Sequence, residues 1–178
     1  ARALAEADAV MYAGSLVSRD MLSHCREGVV VFDSSSMDSE AQREVYRRAA
    51  REGWHLVRLH SGDPSIYGAV LEQMRFLDQE GWSYEVIPGV SSFTAAAAAL
   101  KVPLTQAGAS QTIIIARTAG RASPVAEQQS IGALSKHGST MCIFLSGAML
   151  SDTVSELLEG YPEATPVALV RKASWPEE

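Results

Sequence analysis

Short apolar runs alternate with longer stretches of helical period along the whole chain, and no other feature restricts its fold as strongly. A helix ending near Asp8 is followed by the strands "AVMYAG", "GVVVFD", "HLVRLH" and "YEVIP". Between them lie a helix around Asp20 to Cys25, the stretch "SSSMDSEAQREVYRRAAREG" and the stretch "AVLEQMRFLDQEG"; "GVSSFTAAAAAL" then reads as a small-residue helix. Asp38 or Ser39 can cap the long helix, and Gly53 and Gly81 stand at helix stops. Parallel strands need crossover connections, and a strand covered on both faces is apolar throughout, so this rhythm calls for an α/β fold with mainly parallel sheets.

A turn-prone stretch, "KVPLTQAGAS", interrupts the rhythm, and a second series begins with the strand "QTIIIAR". It continues with a helix around Glu127 to Lys136, the strand "TMCIFLS", a helix around Asp152 to Leu158 and the strand "TPVALVRKAS". A boundary near residues 101–110 follows, giving an N-terminal α/β domain over 1–104 and a C-terminal one over 105–178. Five alanines at 95–99 read as close helix-to-sheet packing.

At 178 residues and 47% hydrophobic content the chain can bury a core, and its net charge of −6 argues against a nucleic-acid partner, which needs a basic stripe. Cys25 and Cys142 lack a C-x-x-C partner and the histidines at 24, 55, 60 and 137 lack ligand spacing, so neither metal nor disulfide is expected. There is no apolar run of about 18 residues and no secretory pattern, which makes the cytoplasm the default address and a membrane partner unexpected. The chain opens inside an amphipathic pattern without Met and closes just after an apparent strand, so it reads as part of a longer protein.

Ligands of open α/β sheets bind beyond the C-terminal ends of the strands. The loops there are "YAGSLV" (12–17), "DSSSMD" (33–38), "SGDPSIYGA" (61–69), "PGVSSFT" (88–94), "RTAGR" (117–121), "LSGAM" (145–149) and "RKASW" (171–175). In the third, Gly62 permits a positive φ, Pro64 fixes the next corner and Asp63 between them offers a carboxylate to ribose hydroxyls or a cationic centre. The same residues also suit a plain strand-to-helix turn, and "PGVSS" suits a capped connection. Arg117, Arg121, Arg171 and Lys172 cluster at strand termini and could recognise carboxylates; solvated surface charge is the competing reading. His24 beside Cys25 is read as structural, and no P-loop is present.

Taken in order and spacing, "YAGSLV", "DSSSM", "SGDPSIYGAVLEQM", "VIPGVSSFTAAAAAL", "SQTIIIAR", "GR-x-S-P-V", "CIFLS" and "PVALVRKASWPEE" resemble the tetrapyrrole methylase family over essentially the whole chain. The resemblance implies two α/β domains, S-adenosylmethionine in the cleft between them, a homodimer, and methylation of an anionic tetrapyrrole. Within the family, "YAGSLV", the "SQT" strand and "KASWPEE" are similar to the enzymes acting at C11 of precorrin-4 or cobalt-precorrin-4 in vitamin B12 synthesis. Carried over position by position, the cofactor would meet Ser61, Gly62, Asp63, Ile66, Ser91 and Ser92, together with Leu145, where relatives often carry Met, and Ala173. The loops at 12–17 and 33–38 would line the substrate side, and Arg117 and Arg121 are candidates for the substrate carboxylates. No catalytic base is assigned. Relatives begin with a further strand and a G-x-G-P-G-type loop and end with closing strands, none of which this sequence contains. Two alternatives stay open: a sibling enzyme methylating another ring carbon, and a non-catalytic fragment that binds cofactor or tetrapyrrole.

Overall fold

The strand β1 (Ala9–Tyr12) is buried at every position, as the central strand of a parallel sheet must be when helices cover both faces. β2 (Val30–Asp33) and β3 (Leu56–Leu59) flank it in the order β2-β1-β3, with Met11 level with Phe32 on one side and Arg58 on the other. All three strands are parallel. The computed structural model describes residues 1–119 and 124–175.

Because alternate residues face opposite ways, β1 serves two cores. Met11 packs with Val45, Tyr46 and Phe76, joined by Phe32 and Leu56; Val10 packs with Leu4 and Ala7, joined by Val57 and Leu59. The first core rests on two helices, α2 (Ser39–Glu52) and α3 (Val70–Glu80), and the second on the short α1 (Arg2–Glu6). The Asp38 carboxylate caps α2 by accepting from the Ala41 N–H at 2.8 Å, and Gly53 at φ 65° ends it. Phe76 lies tilted against Tyr46 at 6.1 Å and edge-on to Trp82 at 5.9 Å; burying such a ring stabilises by about 1.5–3 kcal/mol. The Tyr46 hydroxyl donates to Gln73 Oε1 at 2.6 Å, so the polar tip is satisfied.

The chain divides into two compact units, the first ending at Ser92 and the second starting at Phe93. In the second unit β4 (Ile113–Arg117) pairs in parallel with β5 (Thr140–Phe144). The helices α5 (Ile131–Ser135) and α6 (Leu150–Leu157) bury Ile131 and Thr153, and Phe93 of α4 (Ser92–Leu100) meets Phe144 edge-on at 6.5 Å. The α/β architecture with parallel sheets is as expected.

Several elements differ from their expected form. The helix at 20–25 is a 3-10 helix, Arg19–His24, whose Ser18 hydroxyl accepts from the Asp20 N–H at 3.2 Å; it buries no residue fully, and Leu22 packs partly buried against the second core. The helix at 127–136 splits into a 3-10 turn, Glu127–Gln129, and α5, because Ser130 takes an extended conformation and caps α5 through the Ala133 N–H. The runs at 84–88 and 165–174 are not strands: among the described residues no neighbouring strand pairs with them, and Ile87 and Leu169 are 54% and 69% exposed. An extended run becomes a strand only when a lateral partner takes its N–H and C=O groups. Nor does the alanine run mark tight packing, since α4 buries no residue.

Candidate functional site

The loop after β3 turns at Gly62, whose φ of 67° is open to glycine at little cost. A Cβ there would come within 3.5 Å of Ser91 Cα and the Ser92 nitrogen, so Ser61, Gly62 and Asp63 are brought against Ser91 and Ser92, as the sequence placed them. Ile66 joins the group, its N–H donating to the Asp63 carbonyl at 3.1 Å. Gly89 lies closer still: a Cβ on it would stand 3.1 Å from the Gly62 carbonyl carbon and inside any normal contact with its oxygen. The two loops approach each other through bare backbone.

Asp63 holds them there. Its Oδ2 accepts from the Gly89 N–H at 3.0 Å, and its Oδ1 accepts from the Ser65 N–H at 2.8 Å and from the Ser65 hydroxyl. These bonds, the Ser65 hydroxyl first, hold its carboxyl below the ordinary aspartate range, so it is ionised at neutral pH and offers no proton. A carboxylate has about four acceptor positions, which leaves one on Oδ2 for a ligand donor. Sequence reasoning named Asp63 and the 88–94 loop but missed that Gly89 ties them together. The signal was available as D-x-S after one strand and a glycine in a neighbouring loop.

That signal occurs twice. After β2, Asp33 Oδ1 accepts from the Ser35 N–H at 3.0 Å, the Ser35 hydroxyl at 2.6 Å and the Gly14 N–H at 3.0 Å, with Gly14 in the loop after β1. The Ser15 N–H donates to the Ser35 hydroxyl at 3.2 Å, and the Ser34 hydroxyl donates to the Tyr12 carbonyl at 3.1 Å. The Ser35 hydroxyl first, then the Ser35 and Gly14 N–H groups, lower the Asp33 carboxyl to about 2.

In the second unit Leu145 follows β5 at φ 59°, with 70% of its surface exposed and its carbonyl accepting from the Thr118 hydroxyl at 3.0 Å. Ala173 lies between two further positive-φ residues, Lys172 and Ser174. Arg117 directs its guanidinium to the carbonyls of Thr118 at 3.2 Å and Pro124 at 3.4 Å. Arg121 lies outside the described residues. A groove of about 230 Å³ between α2 and α3, lined in part by Tyr46, Arg58, Glu72 and Gln73, contains none of the cofactor candidates.

Among the described residues no group of His, Cys, Asp and Glu could hold a metal ion, and no helix is long and apolar enough to cross a membrane. The residues fit a cofactor held by backbone and hydroxyl groups: bare backbone at Gly62 and Gly89, exposed serines at 61 and 92, and a fixed negative charge at Asp63.

Comparison with known proteins gives a consistent picture. The family model described as Tetrapyrrole (Corrin/Porphyrin) Methylases matches residues 1–178. A cobalt-precorrin-4 C(11)-methyltransferase of Methanocaldococcus jannaschii is 47% identical over 178 residues, covering 99% of this chain and 68% of that protein. A precorrin-4 C(11)-methyltransferase of Mycobacterium tuberculosis is 39% identical, covering 99% and 71%. Among solved structures, the cobalt precorrin-4 methyltransferase CbiF superposes with a TM-score of 0.93 at 41% identity, covering 99% of this chain and 74% of that one. A uroporphyrin-III C-methyltransferase from Thermus thermophilus, complexed with S-adenosylhomocysteine, superposes with a TM-score of 0.71 at 25% identity, covering 90% and 64%.

Proposed function

The chain belongs to the tetrapyrrole (corrin/porphyrin) methylases, and from that premise we propose that it is an S-adenosylmethionine-dependent C-methyltransferase acting at C11 of precorrin-4 or cobalt-precorrin-4 in cobalamin synthesis. The observation that carries the reading is 47% identity, across essentially the whole chain, to a relative bearing that name.

When bound, S-adenosylmethionine supplies the methyl group. The chain's own contribution is placement. Ser61, Gly62, Ile66, Ser91 and Ser92 form a cofactor surface on the first unit; Leu145 and Ala173 are the cofactor candidates of the second. Asp63, charged at neutral pH, keeps the two first-unit loops together and lends negative potential to a cationic cofactor. No base is assigned, because attack by a nucleophilic ring carbon needs alignment above all, and alignment can supply roughly 7–11 kcal/mol of a barrier. Arg117 and Arg121 serve the carboxylates of the substrate, and the active protein is a homodimer.

Calorimetry with S-adenosylhomocysteine tests the cofactor half: the wild type binds, and Asp63→Ala binds at least about tenfold more weakly. Absence of binding by the wild type, or equal binding by the variant, refutes it. Turnover of precorrin-4 and cobalt-precorrin-4, with the new methyl located by NMR of the product, tests the substrate half; a methyl at any carbon but C11 makes the protein a sibling enzyme.

A further inference from the structure

We propose that Asp33 is a positioning residue for the tetrapyrrole, clamping the 12–17 loop to the 33–38 loop as Asp63 clamps the cofactor loops; this rests on the function proposed above. The two clamps share their construction. In each, an aspartate at the end of a strand (Asp33) or in the loop beyond one (Asp63) accepts from the N–H and hydroxyl of the serine two residues on, and from a glycine N–H in a separate loop: Asp33 with Ser35 and Gly14, Asp63 with Ser65 and Gly89. In each, a side chain on the glycine would press on the clamp: on the Asp33 carboxylate at Gly14, and on backbone at Gly89. A Cβ on Gly14 would stand 2.5 Å from Asp33 Oδ2, as one on Gly89 would collide with Gly62.

The first clamp has a distinct product. The 12–17 loop is fixed at its start by Tyr12 and Gly14, and at its end by the buried Val17, whose N–H donates to the Ala13 carbonyl at 2.9 Å. Leu16, between these anchors, is left 62% exposed. An exposed apolar side chain in a loop tied at both ends is a contact surface for the hydrocarbon part of the macrocycle. A loop that is already ordered loses little further entropy of its own when the substrate binds it.

Three variants and two readouts test this. Asp33→Ala removes the acceptor, Asp33→Asn keeps an oxygen for the Gly14 and Ser35 amides, and Gly14→Ala breaks the clamp from the other side. In steady-state assays with cobalt-precorrin-4, Asp33→Ala and Gly14→Ala raise KM for the tetrapyrrole about tenfold, leave S-adenosylhomocysteine affinity within twofold of wild type, and Asp33→Asn recovers most of the loss. Hydrogen exchange on the full chain reads the clamp without turnover: Asp33→Ala speeds exchange at Gly14 and Ser35 and not at Gly89, and Asp63→Ala does the reverse. Unchanged exchange at Gly14, an unchanged tetrapyrrole KM, an equal loss of S-adenosylhomocysteine affinity, or Asp33→Asn as impaired as Asp33→Ala overturns the proposal. A wild type that binds no S-adenosylhomocysteine refutes the function instead, and the exchange pattern still decides whether the clamp exists.

Discussion

Gly89→Ala is the most informative single substitution, because its cost can be worked from backbone alone. The new Cβ would lie 3.1 Å from the Gly62 carbonyl carbon, nearer to its oxygen, and 3.6 Å from Asp63 Cα. None of these atoms belongs to a flexible side chain, so the loops must separate. Overpacking of this kind costs about 1–3 kcal/mol. Gly89 has no positive φ, so alanine's smaller unfolded ensemble returns about 0.4–1 kcal/mol. A net loss of about 1–2 kcal/mol corresponds, for a chain of this size, to a fall in Tm on the order of 2–8 °C. Gly53→Ala is the control: its φ of 65° makes alanine cost about 1–2 kcal/mol, yet no atom lies within 4 Å of the added Cβ and the change is confined to the end of α2. Calorimetric melting therefore finds both variants destabilised to similar degrees. Titration with S-adenosylhomocysteine separates them, with affinity down at least about tenfold for Gly89→Ala and unchanged for Gly53→Ala. Wild-type stability and affinity in Gly89→Ala would show that the loops do not depend on this contact, and equal loss of affinity in both variants would show that stability alone sets binding.

Asp38→Ala removes the cap at the start of α2 and lowers stability by about 1 kcal/mol, read as a shift in urea midpoint with unchanged slope; Asp38→Asn retains most of it. His60 is held below its ordinary pKa by burial first and by the Arg58 charge second. The native state thus binds its proton less readily than the unfolded chain, and the associated stability is fully present above about pH 6.5 and is lost as pH falls through the lowered native value. Urea midpoints near pH 7.5 and pH 5.5 measure this, and His60→Gln narrows the difference between them. Leu145→Gly relieves the positive φ after β5 and raises the stability of the second unit by about 1 kcal/mol while weakening S-adenosylhomocysteine binding, a split seen by pairing denaturation with calorimetry.

The parts of the fold that could be read from the sequence are those decided within a few residues. Ala9–Tyr12 reads as a central strand because every position is apolar, and α2 reads from Asp38 to Gly53 because a cap and a stop are local devices. The runs at 84–88 and 165–174 carry the same apolar signal, but pairing depends on a lateral neighbour far away in sequence, and none pairs with them among the described residues. The site divides along the same line. The sequence placed Ser61, Gly62 and Asp63 beside Ser91 and Ser92, since strand C-termini share one edge of a sheet. The D-x-S spacing that gives two of Asp63's acceptor positions to Ser65 is local and legible; that a further one goes to Gly89 depends on a loop 26 residues away. Asp33 went unnamed for the same reason, its partner Gly14 lying 19 residues upstream.

Strain in the 61–69 loop bears on what kind of catalyst such an edge can support. Tyr67 and Ala69 have φ of 53° and 49°, a region that costs an L-residue roughly 1–2 kcal/mol each. Gly68 between them sits so near Pro64 that a Cβ would stand 2.9 Å from its carbonyl carbon, so the bend leaves no room for a side chain there. A strained turn persists only where its surroundings over-determine it, and here the buried Pro64, the Asp63 bonds and the start of α3 do so. The strain is small beside the roughly 7–11 kcal/mol that correct alignment can remove from a reaction barrier. A loop that aligns its ligand by backbone position gains more from being rigid than it loses by being strained, whereas a proton-transfer site would gain most from a carboxyl whose pKa lies near neutrality. Asp33 and Asp63 are both displaced the other way, toward ionisation, and that direction favours positioning over acid–base chemistry at this edge of the sheet.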